Sequence, residues 1–270
     1  MKKMFVLAFA AIIMACSTNP ITGKRPLILI SNSQLFPMSF SQYSEVIANE
    51  KLSTNQAQTN QLRTVGNRIR GAVERYLAEQ NQSDFLNGYE WEFNLIEKDA
   101  LNAFCMPGGK VAFYTGILPV CKNDDGIAVV MGHEITHAVA EHSAQRVSQA
   151  MIAQGLQLAG NVAIGDARYR NVFNQIYPLG ASMGIMAYGR QAELEADKVG
   201  LHLMAMAGYD PREAPKFWER MDAEAQRRGQ QAPPEFLSTH PNPGRRIAQL
   251  QAEVPKVMPI YYQATGQSPR

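Results

Sequence analysis

The stretch His133-Glu134-Ile135-Thr136-His137 decides the interpretation of this 270-residue chain. On a helix, residues four apart lie one turn above each other on the same face. The two histidines can therefore bind one Zn²⁺ through ring nitrogens at about 2.0–2.1 Å. Glu134 projects beside the metal, where it can act as a base on the attacking water. The pattern predicts a zinc site built on a helix.

The residues around this motif favour a buried helix. Asp124-Asp125-Gly126 supplies the acidic side chains that the positive end of a helix dipole favours. No proline interrupts before Gln149, and apolar residues recur at helical spacing, namely Ile127, Val130, Met131, Val139 and Ala140. The alternative is a pair of core histidines with a glutamate at the surface. Burial of Glu134 without a metal or another partner would be costly, which favours the zinc site.

Two histidines leave a zinc site short of a third protein ligand. Some zinc proteases supply it as a third histidine after a glycine, but Ala140 and Ser143 occupy those two places here. His142 follows His137 by five residues, about 140° round a helix with about 100° per residue. It is therefore predicted to be a histidine of the helix surface.

A downstream acidic segment, Gln191 to Asp197, is the candidate source of the third ligand. Glu193 and Asp197 are four apart and share one face of the predicted helix. One carboxylate can bind the metal while the other holds a ligand histidine through its second ring nitrogen. Spacing alone does not exclude Glu195 as the ligand, and a solvated acidic face is the alternative for the whole segment.

Several motifs in a fixed order resemble the zinc metallopeptidase family (gluzincins) of HtpX, the CAAX prenyl endopeptidases and the mitochondrial Oma-type protease. The similarity is closest to the bacterial lipoprotein proteases of the LoiP type, and it extends from about Ser53 to about Leu250. The motifs are Asn102-Ala103-Phe104, Pro107-Gly108-Gly109, Tyr114-Thr115-Gly116, Gly132 to His137, Glu193 to Asp197, and Thr239-His240-Pro241.

The resemblance implies a role for each residue of the predicted centre. His133, His137 and Glu193 would be the ligands of one Zn²⁺ per chain. Glu134 would be the catalytic base, and Asp197 would support a ligand histidine from outside the metal's own ligand set.

The resemblance also implies two roles outside these helices. His240 would lie near the scissile carbonyl and donate to the developing oxyanion, with an ordinary loop histidine as the alternative. The region Asn102–Cys105 would be the sheet edge along which an extended substrate lies. An ordinary hairpin is the alternative there.

The pattern and the resemblance together predict an α+β fold, mainly α, with a zincin-like domain and a small β-sheet beside the active-site helix. Tyr89–Ile96 alternates apolar and polar residues and is predicted to be a half-buried strand. Two more strands, Asn102–Met106 and Lys110–Tyr114, are predicted to join through Pro107-Gly108-Gly109.

Four segments divide the chain: residues 1–15, a lipoprotein signal peptide; 16–50, a tether; 51–257, the zinc metallopeptidase domain; and 258–270, a C-terminal tail. Within the domain, Met151–Ile164 and Gly180–Tyr188 are predicted to pack beside the cleft. Arg168–Asn174 is predicted to be a mobile connection between them.

The N-terminal residues predict a location. Lys2 and Lys3 followed by the apolar run Met4–Met14 are typical of a signal peptide, and Ile13-Met14-Ala15-Cys16 resembles a bacterial lipoprotein cleavage box. Acylated Cys16 would anchor the protein in the bacterial cell envelope, on the periplasmic face of the outer membrane. A plain secretory signal is the alternative.

Charge and cysteine content add two expectations. Loss of two lysines from 26 basic residues would balance the 24 acidic ones, which does not favour nucleic acid as a partner. Cys105 and Cys121 leave two alternatives open, a disulfide or two buried thiols.

The predicted function is that of a zinc-dependent metalloendopeptidase of the envelope that hydrolyses unfolded or misfolded proteins in quality control. One alternative is a non-enzymatic, zinc-stabilised lipoprotein that assists outer-membrane protein assembly. A closed site with four protein ligands would favour that alternative. The other is a zinc hydrolase that acts on a different substrate, such as cell-wall cross-links.

Overall fold

The computed structural model describes residues 18–153, 166–176, 188–228, 237, 240 and 243–268. The helices in this part of the chain are α1 (Asn32–Asn49), α2 (Gln56–Glu79), α3 (Leu118–Cys121), α4 (Asp124–Val139), α5 (His142–Ala153), α6 (Asp166–Ile176), α7 (Arg190–Met206), α8 (Glu213–Arg228) and α9 (Pro243–Thr265). The strands are β1 (Glu92–Ile96), β2 (Ala103–Met106) and β3 (Lys110–Tyr114). The predicted mainly α, α+β class is confirmed. Among these helices, none combines the length and the apolar character needed to cross a membrane.

The three strands form one small sheet in the order β1-β3-β2. β3 pairs in parallel with β1 and antiparallel with β2, so that β2 is an edge strand. Gly108 and Gly109 have φ angles of 83° and 90° in the turn between β2 and β3, a conformation that glycine adopts without strain. The predicted hairpin is thus present, and its edge strand packs against α4.

Helix α4 carries the histidine motif and is buried along nearly its whole length. Asn123 caps its start, because the side-chain oxygen accepts a 3.0 Å hydrogen bond from the amide of Gly126. The helix ends at Val139, earlier than the absence of proline suggested. Glu141 has a φ of 58°, which turns the chain so that His142 begins a new helix.

The N-terminal residues close the other end of α4. The side-chain amide of Asn19 donates to the carbonyl of Val139 at 2.9 Å and to the carboxylate of Glu141 at 3.0 Å. The last carbonyls of a helix lack hydrogen-bond donors within the helix. The side-chain amide of Asn19 supplies a donor for one of them.

Helices α4 and α7 touch through their backbones at two glycines. A Cβ atom at Gly200 would lie 2.7 Å from the carbonyl carbon of Gly132, and one at Gly132 would lie 2.7 Å from the oxygen of Gly200. This contact sets the distance between the helix of the two histidines and the helix of Glu193 and Asp197.

Gly200→Ala is expected to lower the free energy of unfolding by about 1–3 kcal/mol, because the added methyl group forces the two helices apart. The measurement is chemical denaturation, with zinc content as a second readout because the carboxylates would move away from the histidines. Gly71→Ala is the control, since its nearest neighbour is the flexible end of Arg75 at 3.5 Å. That control is expected to gain up to about 1 kcal/mol from helix propensity. Equal stability of the two variants would contradict the prediction.

Two segments differ from the sequence-based description. The expected tether contains α1, whose Leu35, Phe36 and Tyr43 are buried. Its prolines suggested irregular chain, but Ser31 and Gln34 form a capping box, and burial of these side chains outweighs the one donor lost at Pro37.

The expected mobile connection is helix α6, in which Val172 and Phe173 are buried. At the C terminus, α9 continues to Thr265, so the boundary drawn at residue 257 falls inside a helix. Most of the two predicted packing segments beside the cleft, Met151–Ile164 and Gly180–Tyr188, lies outside the described residues, namely 154–164 of the first and 180–187 of the second.

The two described cysteines are buried and free. Cys105 and Cys121 form no disulfide, and burial raises the pKa of both thiols. Of the two alternatives, the structure has the buried thiols.

Candidate metal centre

Four buried side chains converge between α4 and α7. One donor atom from each of His133, His137, Glu193 and His240 lies within 4.8 Å of the other three. The Nε2 atoms of His133 and His137 are 3.0 Å apart, and each lies 3.5 Å from an oxygen of Glu193. The structure therefore brings together the two histidines paired by spacing and Glu193, the carboxylate chosen by the family resemblance. Their roles as ligands stay a prediction.

His240 completes the cluster from the segment before α9. Its Nδ1 lies 2.9 Å from Glu193 Oε2 and 3.1 Å from His133 Nε2. The sequence predicted His240 near the reacting carbonyl and counted only three donors at the metal. The structure instead provides a fourth donor, a third imidazole nitrogen, within the set.

The charges of the cluster suit a divalent cation. Burial acts to raise the pKa of Glu193, but His240, His133 and His137 outweigh it and hold that pKa well below its ordinary value. Burial lowers the pKa of His137 well below its ordinary value. An ionised carboxylate and neutral imidazoles are the forms that bind metal.

An unpaired oxygen supports the same conclusion. Glu193 Oε1 is buried and has no hydrogen-bond partner among the described residues. A buried acceptor without a partner costs free energy, and a cation in front of it would remove that cost. Imidazole with carboxylate is a donor set typical of zinc and of several other transition metals. The cluster can bind a metal.

Glu134 lies beside the donor set. Burial, as the largest cause, raises its pKa to about 8, with Glu193 adding to the rise and His133 opposing it. Its Oε1 lies 3.4 Å from His240 Nε2 and, within the described part of the chain, has no hydrogen-bond partner. The backbone of Cys105 on β2 acts to lower this pKa. A carboxyl group with this pKa can take up and release a proton near neutral pH.

Asp197 holds His133 in place. Its Oδ1 lies 3.0 Å from His133 Nδ1, as the prediction for Asp197 requires. Arg246 of α9 donates to both oxygens of Asp197, with Nε to Oδ2 at 2.6 Å. The guanidinium lies 3.6 Å above the ring of Trp218. Burial would raise the pKa of Asp197, but Arg246 outweighs it and holds that pKa below its ordinary value.

Sequence reasoning missed Arg246 and Trp218. Arg246 is only 1% exposed, although arginine is usually a surface residue. A single arginine near the start of a predicted helix carries no signal of burial. The one indirect signal was Asp197, because a buried carboxylate that holds a histidine needs a cation nearby.

The remaining histidines and Glu195 have separate positions. His142 is buried and its Nδ1 lies 2.8 Å from His137 Nδ1, so the predicted surface position is wrong. The reason is the turn at Glu141, which ends the helix on which the 140° rotation was counted. Glu195 contacts His142 and lies outside the donor set, while His202 lies beside Tyr76.

Comparison with known proteins assigns the family. Residues 66–254 match Peptidase family M48. The chain belongs to Peptidase family M48. This membership confirms the resemblance inferred from the motifs, and it confirms the prediction of a metallopeptidase.

Three relatives illustrate the similarity to M48 proteins. Mitochondrial metalloendopeptidase OMA1 of Saccharomyces cerevisiae is 40% identical over 186 residues, 67% of this chain and 52% of the relative. Metalloendopeptidase OMA1 of Bos taurus is 28% identical over 251 residues, 90% of this chain and 46% of the relative. The beta-barrel assembly-enhancing protease of Escherichia coli is 29% identical over 182 residues, 65% of this chain and 37% of the relative. The chain spans about half the length of the first two and less of the third.

The relatives contradict the predicted location. The OMA1 proteins of two yeasts, Arabidopsis thaliana and Bos taurus are named as mitochondrial metalloendopeptidases. The prediction of a lipid-anchored protein on the bacterial outer membrane is therefore wrong. Its sequence basis, the signal peptide and Cys16, lies outside the described residues.

Proposed function

We propose that this M48 chain is a zinc-dependent endopeptidase, with Zn²⁺ held by His133, His137 and Glu193. The observation that carries the proposal is the pairing of a metal-binding donor set with Glu134, a buried carboxyl group whose free oxygen faces it. A site that only held the fold together would have no use for Glu134. Its pKa of about 8 suits proton transfer.

Glu134 carries the proton through the reaction. When bound, zinc supplies a Lewis acid that acidifies water and polarises a peptide carbonyl. Glu134 takes one proton from the attacking water as its oxygen bonds to the carbonyl carbon. It then gives that proton to the amide nitrogen as the C–N bond breaks. The products are a carboxyl group and a free amine, and Glu134 is restored.

The other residues hold these groups in position. Asp197 and Arg246 fix the ring of His133 through its Nδ1. Packing of α4 against β2 holds the Glu134 carboxylate beside the backbone of Cys105. A base held in one place relative to the reacting carbonyl lowers the entropy cost of the step.

The edge strand β2 is the proposed substrate track. The amide of Tyr114 bonds to the carbonyl of Asn102, which marks this pair as a hydrogen-bonded pair of the antiparallel ladder. Because such pairs alternate, the backbone groups of Ala103 and Cys105 point away from β3. The amide of Ala103 already donates to Asn102 Oδ1 at 2.9 Å, so an extended peptide would pair with the carbonyl groups of this edge through its own amides, which accounts for tolerance of sequence. Unfolded or misfolded proteins in quality control are therefore the proposed substrates.

His240 leaves a second candidate function to be tested. As a fourth donor it would close the metal site, the arrangement typical of structural zinc. Its proposed role at the scissile carbonyl instead requires it to face the substrate during the reaction. Membership of a peptidase family weighs against the purely structural function.

Metal removal tests the proposal. The full chain loaded with Zn²⁺ is expected to cut denatured casein and not folded protein, because only an extended backbone can pair with β2. Treatment with 1,10-phenanthroline is expected to abolish cleavage, and added Zn²⁺ to restore it, with product peptides identified by mass spectrometry. Cleavage by the metal-free chain would exclude the mechanism. Tight zinc binding without cleavage of any peptide would favour the structural candidate.

A further inference from the structure

The two histidines of α4 have different partners at the nitrogens that face away from the donor set. His133 Nδ1 lies 3.0 Å from a carboxylate oxygen of Asp197. His137 Nδ1 instead lies 2.8 Å from another imidazole nitrogen, Nδ1 of His142. The support that His133 receives directly from a carboxylate thus reaches His137 through an intervening ring.

The series of contacts behind His137 also ends at a carboxylate. His142 Nε2 lies 3.2 Å from Glu195 Oε2, and Glu195 Oε1 lies 2.8 Å from the ammonium group of Lys24. Burial would raise the pKa of Glu195, but the hydrogen bonds from His142 and Lys24 outweigh it and hold that pKa below its ordinary value. Glu195 is therefore an ionised acceptor.

The direction of each hydrogen bond in the series His137, His142 and Glu195 follows from its two ends, which are the metal-binding nitrogen of His137 and the carboxylate of Glu195. If His137 offers the lone pair of Nε2 to a metal, its proton is on Nδ1 and that atom donates. His142 Nδ1 must then accept, so the proton of His142 is on Nε2. That proton points at Glu195 Oε2, where an acceptor lies. One tautomer of each ring satisfies both contacts.

We propose that His142 is a positioning residue for His137, and that Glu195 acts on the metal centre through His142. The proposal rests on the zinc site of the proposed function. An acceptor at Nδ1 fixes the tautomer and the ring orientation of a ligand histidine and makes its other nitrogen more basic.

The surroundings of His142 support this role. The residue is 3% exposed, so water does not compete for the contact with His137. Tyr188 stacks on the other side of His137, with ring centroids 3.8 Å apart and an angle of 13° between the planes. The stacking fixes the plane of the His137 ring, and His142 fixes its rotation within that plane.

Three substitutions of His142 separate the contacts. Leucine removes both nitrogens at similar volume. Asparagine places an acceptor near the position of Nδ1 and so can still accept from His137, whereas glutamine places its amide near Nε2 and can reach only Glu195. His142→Leu and His142→Gln are therefore expected to weaken zinc binding by about 10- to 100-fold, and His142→Asn by less than about 10-fold.

The measurements are made on the full chain without substrate. Zinc affinity is obtained by competition with a chromophoric chelator, and the visible absorption of the Co²⁺-loaded protein reports ligand geometry. Glu195→Gln is expected to weaken zinc binding in the unchanged chain and to add nothing in the His142→Leu background, because it acts through His142. His202→Leu, on α7 beside Tyr76, is the matched control and is expected to leave affinity and spectrum unchanged.

The outcomes are distinct. Unchanged affinity and cobalt spectrum in His142→Leu would overturn the proposal. If His142→Leu does not fold, the comparison of His142→Gln with His142→Asn decides. Equal zinc affinity of those two variants would overturn the proposal. Independent, additive losses from Glu195→Gln and His142→Leu would overturn the part assigned to Glu195. Zinc binding that follows these expectations in a chain without peptidase activity would contradict the proposed function alone.

Discussion

Glu134→Gln is expected to lower kcat for peptide hydrolysis by about 10²–10⁴-fold while zinc stays bound. Glutamine has the size of glutamate but cannot accept the proton of the attacking water. Glu134 is buried, and its Oε1 has no hydrogen-bond partner in the described part of the chain. Glutamine stays neutral at every pH and so never carries the desolvation cost of the ionised carboxylate, and the melting temperature is expected to hold near neutral pH and to rise above about pH 8.

Three measurements check this result: turnover of denatured casein, zinc content by atomic absorption and thermal unfolding. Glu219→Gln, an exposed carboxylate on α8, is the matched control and is expected to change none of them. Retained turnover would contradict the role of Glu134 as the base. Loss of zinc together with turnover would instead place Glu134 among the metal ligands.

Arg246→Met is expected to lower the free energy of unfolding by about 3–5 kcal/mol. Arg246 donates to both oxygens of Asp197 and also lies 3.2 Å from Glu193 Oε2. Its side chain is 1% exposed, so the substitution leaves two buried carboxylates without their shared cation. Methionine fills most of the same volume and can still pack on Trp218. The loss therefore reports the charge and not a cavity.

Chemical denaturation of the metal-free chain measures this loss. Arg228→Met removes a more exposed ion pair with Asp99 and is expected to cost less than about 1 kcal/mol. Addition of Asp197→Asn to Arg246→Met is expected to recover part of the stability, because it neutralises one of the two stranded charges. An Arg246→Met variant as stable as the control would show that Asp197 finds another partner.

The local parts of the site were predictable from the sequence. A four-residue spacing places His133 and His137 on one face of any helix, and Glu193 and Asp197 likewise. Spacing did not choose between Glu193 and Glu195, because the choice depends on how α7 is rotated against α4. That rotation is set by the glycine contact between the helices, which has no local signature.

Contacts between distant segments were not predictable in the same way. The position of His142 depends on a single residue, Glu141, with a φ of 58° that glutamate rarely adopts. Arg246 and Trp218 meet the site only after α8 and α9 have packed. The helix α1 forms where prolines suggested a tether, because burial of its apolar side chains outweighs local preference.

The amide of Asn19 at the carboxyl end of α4 sets a limit on how short this chain can be made. Cleavage after Lys24 would release both Asn19, which closes that helix, and the ammonium group paired with Glu195. A fragment that keeps both contacts must therefore include Asn19 and Lys24, which the domain drawn from residue 51 leaves out. A protease that trimmed these residues would loosen the helix end beside His137 without touching the centre itself.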